Sequence, residues 1–345
     1  MDGGGADMSR GGGKKITFCG YYGRGNLGDE MILDAIARVT PKIRTLRGKN
    51  MLRLLSDMLG ADVFVFGGGS LLQNATSNAS LFYYLALIFA SRPLCHRRVM
   101  LANGMGPIND SFFSQDFLKK MIKDAVDSFD IISVRDGCSQ KYLQELLPVR
   151  EILLVPDPAL LLIEPKINRQ LRKTGRFLYI PCASGLKRAR IDERSVVKAL
   201  REAERELGLA AFFAVMNENE DAELARRLSK ALGGRRICAP KSASELKRAL
   251  SEAEITICQR FHGALFSSAL GVPTLCVSDD PKMMALCEDY GLYRAVSPVV
   301  LSDSSALLYE MGGAKRHFGD NCESIYEKFQ KARSTAEKNL HRLLK

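Results

Sequence analysis

The sequence predicts an α/β protein of two similar domains, each a mainly parallel sheet covered by helices on both faces, with a cleft between them. Three observations carry this. The 345 residues exceed one typical core, since a domain takes about 150 residues. Short β-branched runs alternate with amphipathic helical stretches, the pattern of a parallel sheet buried on both faces. The series halts at Pro156-Asp157-Pro158 and restarts after a polar, Lys/Arg-rich stretch at 164–176, which reads as an interdomain linker.

In the first half, strands are expected at 16–19 (Ile16-Thr17-Phe18-Cys19), 42–46, 63–66, 99–102, 131–134 and 152–155. Helical patterns lie between them at 30–39, 81–90, 117–126 and 139–147. Proline cannot continue a central ladder, so the Pro-Asp-Pro triplet ends the last strand. In the second half, strands are expected at 177–180, 211–215, 236–238, 255–258 and 274–277, with helices at 192–206, 221–232, 244–251 and 262–270. Gly271 and Pro273 close the last helix in the expected order, glycine at its end and proline just beyond. Residues 322–344 form a long amphipathic helix. The division that follows is a Gly-rich segment at 1–14, domains at 15–165 and 176–300, and C-terminal helices at 301–345.

Composition narrows the function. Hydrophobic residues at 46% and charged residues at 26% describe a globular chain rather than a disordered one. Fifty Lys and Arg against 39 Asp and Glu leave a net charge of +11. That excess favours a phosphorylated metabolite, an anionic lipid surface or nucleic acid. With no Trp and 8% aromatics there is no base-stacking platform, so nucleic acid is not expected. The nine cysteines contain no C-x-x-C pair and several sit in strand-like runs, which points to buried thiols in a reducing cytoplasm. Residues 1–13 lack the apolar centre of a signal peptide, and the longest apolar stretch, 81–90, is about half a bilayer span. A cytoplasmic protein, at most peripheral at the inner membrane face, is expected. No His, Cys or Asp cluster has metal-ligand spacing, and no G-x-S-x-G nucleophile turn is present.

Three glycine turns follow strands of the first half: Gly20-Tyr21-Tyr22-Gly23-Arg24-Gly25-Asn26-Leu27-Gly28-Asp29-Glu30, Gly67-Gly68-Gly69-Ser70, and Asn103-Gly104-Met105-Gly106-Pro107. In a parallel sheet all three lie at the carboxyl edge, where open α/β sheets bind ligands. Gly23, Gly25 and Gly28 match G-x-G-x-x-G, but the acid an NAD site needs about 20 residues later is missing; basic residues at 47 and 49 leave NADP open. The ligand-edge positions expected here are Gly23, Asn26, Gly28, Asp29, Gly68, Gly69, Ser70 and Gly104.

The second half supplies charge. Arg260-Phe261-His262-Gly263 follows the strand at 255–258, and residues two apart at a strand end point the same way, so Arg260 and His262 are expected to converge while Phe261 packs behind. Asp279-Asp280-Pro281-Lys282 and, from the first half, Ser133-Val134-Arg135-Asp136 occupy equivalent junctions. Cations around one imidazole suit a small polyanion. His96, His317 and His341 lie in polar or basic contexts away from such junctions.

Taken in order, these turns together with Gly69-Ser70-Leu71-Leu72-Gln73, Pro156-Asp157-Pro158 and Asp280-Pro281-Lys282 resemble the polysaccharide pyruvyltransferase family, in its CsaB-like branch, over about residues 15 to 290. The resemblance implies two Rossmann-like domains in a glycosyltransferase-B-like arrangement, the first on the acceptor side and the second on the donor side. It implies transfer of a pyruvyl group from phosphoenolpyruvate, as co-substrate with no other cofactor, to a sugar as a cyclic ketal. For that branch the acceptor is an N-acetylmannosamine unit of a lipid-linked cell-wall precursor, whose product helps to anchor surface-layer proteins. Arg135, His262 and Lys282 fall on the family's donor-binding and catalytic motifs, with Arg260 the neighbouring basic position. The stretch 39–62 is shorter than is usual in the family, and Asn103 stands where a glutamine is common.

From these residues Arg135, Arg260 and Lys282 are expected to clamp the donor's carboxylate and phosphate. His262 is expected to act as general acid and base, as an imidazole exchanges protons near neutral pH. Asp29 reads either as a partner of an acceptor hydroxyl or as a helix N-terminal acid. Arg169, Arg172, Lys173, Arg176, Lys187, Arg188 and Arg190 suit contact with an anionic membrane surface, or form a solvated face. A two-domain glycosyltransferase with a nucleotide-sugar donor is the alternative reading, because an Arg-His turn can also hold a diphosphate.

Overall fold

The computed structural model describes residues 15–40, 43–45, 51–74, 77–106, 108, 113–168 and 173–344. The N-terminal segment 1–14, the stretch 46–50, Pro107 and, in the linker, Arg169 and Arg172 lie outside the described residues.

Two all-parallel sheets form the framework. The first has the order β2-β1-β3-β4-β5-β6, from β1 (Ile16–Cys19), β2 (Ile43–Thr45), β3 (Val63–Gly67), β4 (Arg97–Asn103), β5 (Ile131–Val134) and β6 (Ile152–Leu154). The second has the order β11-β10-β7-β8-β9, from β7 (Arg176–Ile180), β8 (Ala210–Ala214), β9 (Ile237–Cys238), β10 (Ile255–Cys258) and β11 (Thr274–Cys276). β1, β3 and β10 are buried at every position, as parallel strands covered on both faces must be. Every strand expected from the apolar runs is present.

The helices are α1 (Leu27–Val39), α2 (Met51–Met58), α3 (Asn78–Leu94), α4 (Gln115–Asp127) and α5 (Gly137–Leu146) in the first half. The second half holds α6 (Ala183–Arg188), α7 (Glu193–Leu207), α8 (Glu218–Ala231), α9 (Ala243–Ser251), α10 (Phe261–Ala269), α11 (Pro281–Tyr290) and α12 (Ser304–Leu344). The sequence reading lacked α2, α6 and α11, and expected several C-terminal helices over 301–345 where the single helix α12 runs. In α12 Gly313 is a packing notch: a Cβ there would meet the Tyr293 hydroxyl at 2.6 Å. The turn at Asp280-Pro281 is itself the start of α11, with proline in the first turn and the Asp280 side chain accepting the Lys282 N–H at 3.2 Å.

Strand order decides where a ligand can sit. In the first sheet the order reverses at β1, between β2 and β3; in the second it reverses at β7, between β8 and β10. Ligands of open α/β sheets bind outside the carboxyl ends at such reversals. The turns after β1 and β3 therefore face those after β7 and β10 across the cleft. Beneath it, one apolar cluster joins both halves, with Phe18, Ile32 and Ile36 from the first and Leu265, Leu286 and Phe318 from the second.

The first glycine turn is stapled to the second domain. Asn26 and Asn217 form an antiparallel bridge, Leu27 N–H donates to Met216 O (2.9 Å), Glu218 N–H to Gly25 O (3.2 Å), and Asn219 Nδ2 to Arg24 O (2.9 Å). All nine cysteines are free, six of them buried; burial raises the Cys19 and Cys258 thiols far above the ordinary range, so they pack as inert apolar groups. No helix among the described residues is long and apolar enough to cross a membrane.

Candidate active site

The cleft encloses about 470 Å³ and is lined by Asn26, Gly28, Asp29, Gly69, Ser70, Arg135, Arg260, His262 and Lys282. That size suits a small ligand or part of a larger one. Gly23, Gly68 and Gly104 are not among the lining residues; Gly23 is exposed, and Gly68 and Gly104 serve packing. Gly68 has φ 80°, and a Cβ there would meet Ile32 of α1 at 2.5 Å. A Cβ on Gly104 would crowd Ser70 Oγ (2.6 Å) and Arg135 Nε (2.9 Å). In the G-x-G-x-x-G turn the Gly23, Leu27 and Gly28 N–H groups already donate to Glu30, Met216 O and Asn26 Oδ1, so these three are not free for a phosphate.

Arg135 leaves the end of β5 and is 7% exposed. Its Nη1 donates to Asp157 Oδ2 and its Nη2 to Ser70 Oγ, both at 3.1 Å, and its guanidinium lies 4.1 Å from the Phe261 ring centroid. Asp157, between the two prolines, also accepts the Ala159 N–H at 2.9 Å and approaches His262 Nε2 at 3.3 Å, without hydrogen-bond alignment. Burial alone would raise its carboxyl; His262, Arg135 and the Ala159 N–H outweigh this and bring it down to about 2. Asp157 joins the two domains electrostatically. Sequence reading quoted its motif but gave it no role.

Arg260 and His262 both line the cleft but hold different partners. Arg260 caps α10 and His262 is already helical, so strand alternation does not set their directions. Arg260 donates from Nε to Asp221 Oδ2 (2.8 Å) and from Nη2 to Asp221 Oδ1 and Glu220 Oε2 (2.7 Å each). Its charge is matched twice over. Phe261 packs under Arg135 and edge-on to His262, 5.3 Å between centroids. Lys282 Nζ sits 2.9 Å from Asp280 Oδ2, and this ammonium holds Asp280 below the ordinary carboxylate range against the opposing effect of burial.

His262 packs directly on the first turn of α1: a Cβ on Gly28 would overlap its Nδ1. Gly28→Ala gains about 1 kcal/mol of helix propensity but displaces the ring. Turnover is expected to fall roughly 10-fold to 10²-fold with a near-wild-type Tm; unchanged kinetics would show that the ring position is unimportant.

Asp29 is 7% exposed beneath the same group of charges. Asn26 Nδ2 donates to its Oδ2 at 2.5 Å, and a Cβ on Gly69 would meet its Oδ1 at 2.7 Å. Burial pushes its carboxyl up to about 6, although His262, Arg135 and Lys282 pull the other way. Because the folded value exceeds the unfolded one, the contribution of Asp29 to stability is greatest at low pH and is lost as pH rises through about 4 to 6. Asp29→Asn is therefore expected to stabilise the fold at pH 8 by about 2–3 kcal/mol. The advantage should shrink towards pH 4 in urea unfolding; a destabilised variant at pH 8 would contradict it.

Four of the nine buried side-chain polar atoms without a hydrogen-bond partner among the described residues belong to this cleft: Arg135 Nε, Asn217 Oδ1, Gln259 Nε2 and His262 Nε2. Such orphans cluster where a ligand completes them. Gln259, which sequence reading missed, is fixed through Oε1 by Tyr179 Oη (2.6 Å) and Cys182 N–H (3.1 Å), leaving its Nε2 towards the cleft. No three His, Cys, Asp or Glu groups among the described residues gather as metal ligands do. A larger open groove of about 1000 Å³ lies at the opposite edge of the first sheet, where Arg98 and Arg150 face Asp130 (3.9 Å) and Asp127 (3.5 Å). Those two arginines are already paired.

Solved structures share the fold at low identity. UDP-GlcNAc 2-epimerase from Methanocaldococcus jannaschii is 12% identical, with 96% of this chain and 99% of that chain covered at TM-score 0.56. A putative UDP-N-acetylglucosamine 2-epimerase from Listeria monocytogenes is 12% identical, with 96% and 95% covered at TM-score 0.58. The Neisseria meningitidis UDP-GlcNAc 2-epimerase bound to UDP-GlcNAc is 9% identical, with 96% and 99% covered at TM-score 0.56. The architecture is thus glycosyltransferase-B-like. No curated protein matches the chain. Residues 26–281 match the family described as Polysaccharide pyruvyl transferase. That match runs from the first glycine turn to the turn opening α11, well over half the length, and the chain belongs to the polysaccharide pyruvyl transferase family.

Proposed function

We propose that the protein moves the pyruvyl group of phosphoenolpyruvate onto two hydroxyls of a sugar, forming a cyclic ketal and releasing phosphate. The carrying observation is the convergence of Arg135, Lys282 and the unpartnered donors of Arg135, Gln259 and His262 on one buried cleft. Phosphoenolpyruvate presents a carboxylate and a phosphate close together, and desolvating both needs cations with donors to spare. In this reading Arg135 and Lys282 form the clamp. Arg260, neutralised by Asp221 and Glu220, shapes the wall rather than binding the donor. His262 gives a proton to the departing phosphate oxygen, while Asp157 holds the imidazole and Arg135 in place.

The acceptor we propose is an N-acetylmannosamine unit of a lipid-linked cell-wall precursor, as in the CsaB-like branch. Lys187, Arg188 and Arg190 support it, being exposed, with Arg188 at the cleft mouth, where an anionic membrane surface would meet them. Phosphate release from phosphoenolpyruvate, with and without a synthetic lipid-linked N-acetylmannosaminyl disaccharide, tests this, with His262→Ala as control. Acceptor-dependent release by wild type alone is expected. A second reading, a nucleotide-sugar donor, is favoured by the UDP-GlcNAc bound to the structurally similar Neisseria epimerase. Thermal protection by UDP-GlcNAc but not by phosphoenolpyruvate would select it, because only a true ligand stabilises the fold by mass action.

A further inference from the structure

We infer that Asp29 protonates the methylene carbon of the enolpyruvyl donor and that its carboxylate then takes the proton of an acceptor hydroxyl. This rests on the donor reading above and assigns the half of its proton chemistry that His262 leaves open.

Ketal formation moves two protons. The carboxyl O–H bond of Asp29 breaks as the donor's double-bond pair forms a C–H bond at the methylene carbon, leaving the adjacent carbon electrophilic. A lone pair of the first sugar hydroxyl bonds to that carbon, and its proton passes to the Asp29 carboxylate, which restores the acid. The second hydroxyl then displaces phosphate. The C–O bond breaks with its electron pair on phosphate, and the second hydroxyl's proton reaches phosphate through His262. One hydroxyl proton ends on carbon and the other on phosphate, so the balance closes with two groups.

The geometry separates Asp29 from an ordinary helix-terminal acid. Such an acid is normally exposed and ionised, and the helix dipole favours its charged form. Asp29 is buried at the cleft, and its carboxyl is pushed up to about 6. The next residue, Glu30, takes the terminal task by accepting the Gly23 N–H. The one hydrogen bond of Asp29 among the described residues comes from Asn26, three positions earlier. The absent side chain of Gly69, at φ 81°, leaves room for Oδ1.

The groups facing it come from every wall: His262 of α10, Arg135 after β5, Lys282 of α11 and Asp157 before the Pro158 turn. Tyr22 and Tyr84 lie within its field as well. The three cationic groups favour its ionised form. A bound donor that neutralises Arg135 and Lys282 removes that pull, so the proton is held more firmly once the substrate is in place. Asp157, equally buried, is driven the other way to about 2. Two carboxyl groups whose surroundings separate their acidities, on either side of one histidine, mark an acid and a fixed anion.

The test uses the full chain in D2O with phosphoenolpyruvate and the disaccharide acceptor. Wild type is expected to place one solvent deuterium in the product methyl group, with turnover falling as pH rises above the Asp29 range. Asp29→Asn is expected to keep thermal protection by phosphoenolpyruvate and to lose deuterium incorporation and turnover by about 10²–10⁴-fold. Asp29→Glu should recover part of the rate with a displaced pH profile. An Asp29→Asn protein within about threefold of wild type, or one that loses phosphoenolpyruvate binding together with activity, overturns the inference alone. A wild-type protein that neither binds phosphoenolpyruvate nor releases phosphate removes the donor reading, and the inference with it.

Discussion

Asp157→Ala is expected to destabilise the protein by about 3 kcal/mol, because buried Arg135 loses its hydrogen-bonded carboxylate and keeps only that of Asp136, 3.7 Å from its Nε. The side chain is 3% exposed, as is that of Arg135, so water cannot replace the lost anion. The Ala159 N–H and the neighbouring His262 lose the same partner. Asp157→Asn, which keeps an acceptor for that N–H but not the charge, should fall between the two. The pH dependence follows from the lowered carboxyl. Its folded value of about 2 lies below the unfolded one, so its contribution is present above about pH 4 and fades as pH falls towards 2. Urea unfolding should therefore show the deficit of the alanine variant in full at pH 7 and smaller by about 1 kcal/mol at pH 3. Equal stability of variant and wild type at pH 7 would falsify the view that Asp157 ties the two domains together.

His262→Ala is expected to lower turnover by about 10²–10⁴-fold, the usual contribution of a positioned acid or base. Donor binding should survive, since Arg135 and Lys282 carry the charge. The imidazole is wedged between Gly28 of α1 and Asp157, so its position depends on both domains. Its Nε2 lacks an aligned partner among the described residues, as expected of an atom that bonds to substrate. Steady-state phosphate release, paired with thermal protection by phosphoenolpyruvate, separates the two effects. Wild-type turnover in the variant would remove the proton-transfer role. Loss of protection would instead make His262 a binding residue.

Much of the site was legible because strand ends announce themselves. The run Ile255-Thr256-Ile257-Cys258 has one reading, and whatever follows it must stand at the carboxyl edge. That reasoning places Arg135, His262 and Lys282 in one cleft, and the structure brings all three to its lining. It failed for side-chain direction. Arg260 was expected beside His262, but the chain turns helical at Phe261, and Asp221, 39 positions away in sequence, captures the guanidinium.

Glycine showed the same limit. Gly23, Gly68 and Gly104 read as openings for a ligand, whereas Gly68 admits Ile32, and Gly104 admits Ser70 and Arg135. A glycine in sequence reports that something approaches the backbone, not what approaches it.

The sequence by itself determined the strands, the order of the turns and the sign of the charge. These depend on local pattern: apolar runs of strand length, glycine and proline at fixed offsets, and residue counts. Only the tertiary structure decided the electrostatic roles. Asp29 and Asp157 are the same residue type, yet one is raised to about 6 and the other lowered to about 2. Both are buried, so desolvation opposes ionisation in each. The difference is that Asp157 accepts hydrogen bonds from Arg135 and the Ala159 N–H at close range, whereas Asp29 feels its cations only through the field and takes a single amide bond from Asn26. Part of that contrast comes from His262, over 100 positions from Asp157 in sequence, whose imidazole also pulls this carboxyl down, and no local window of sequence contains that contact.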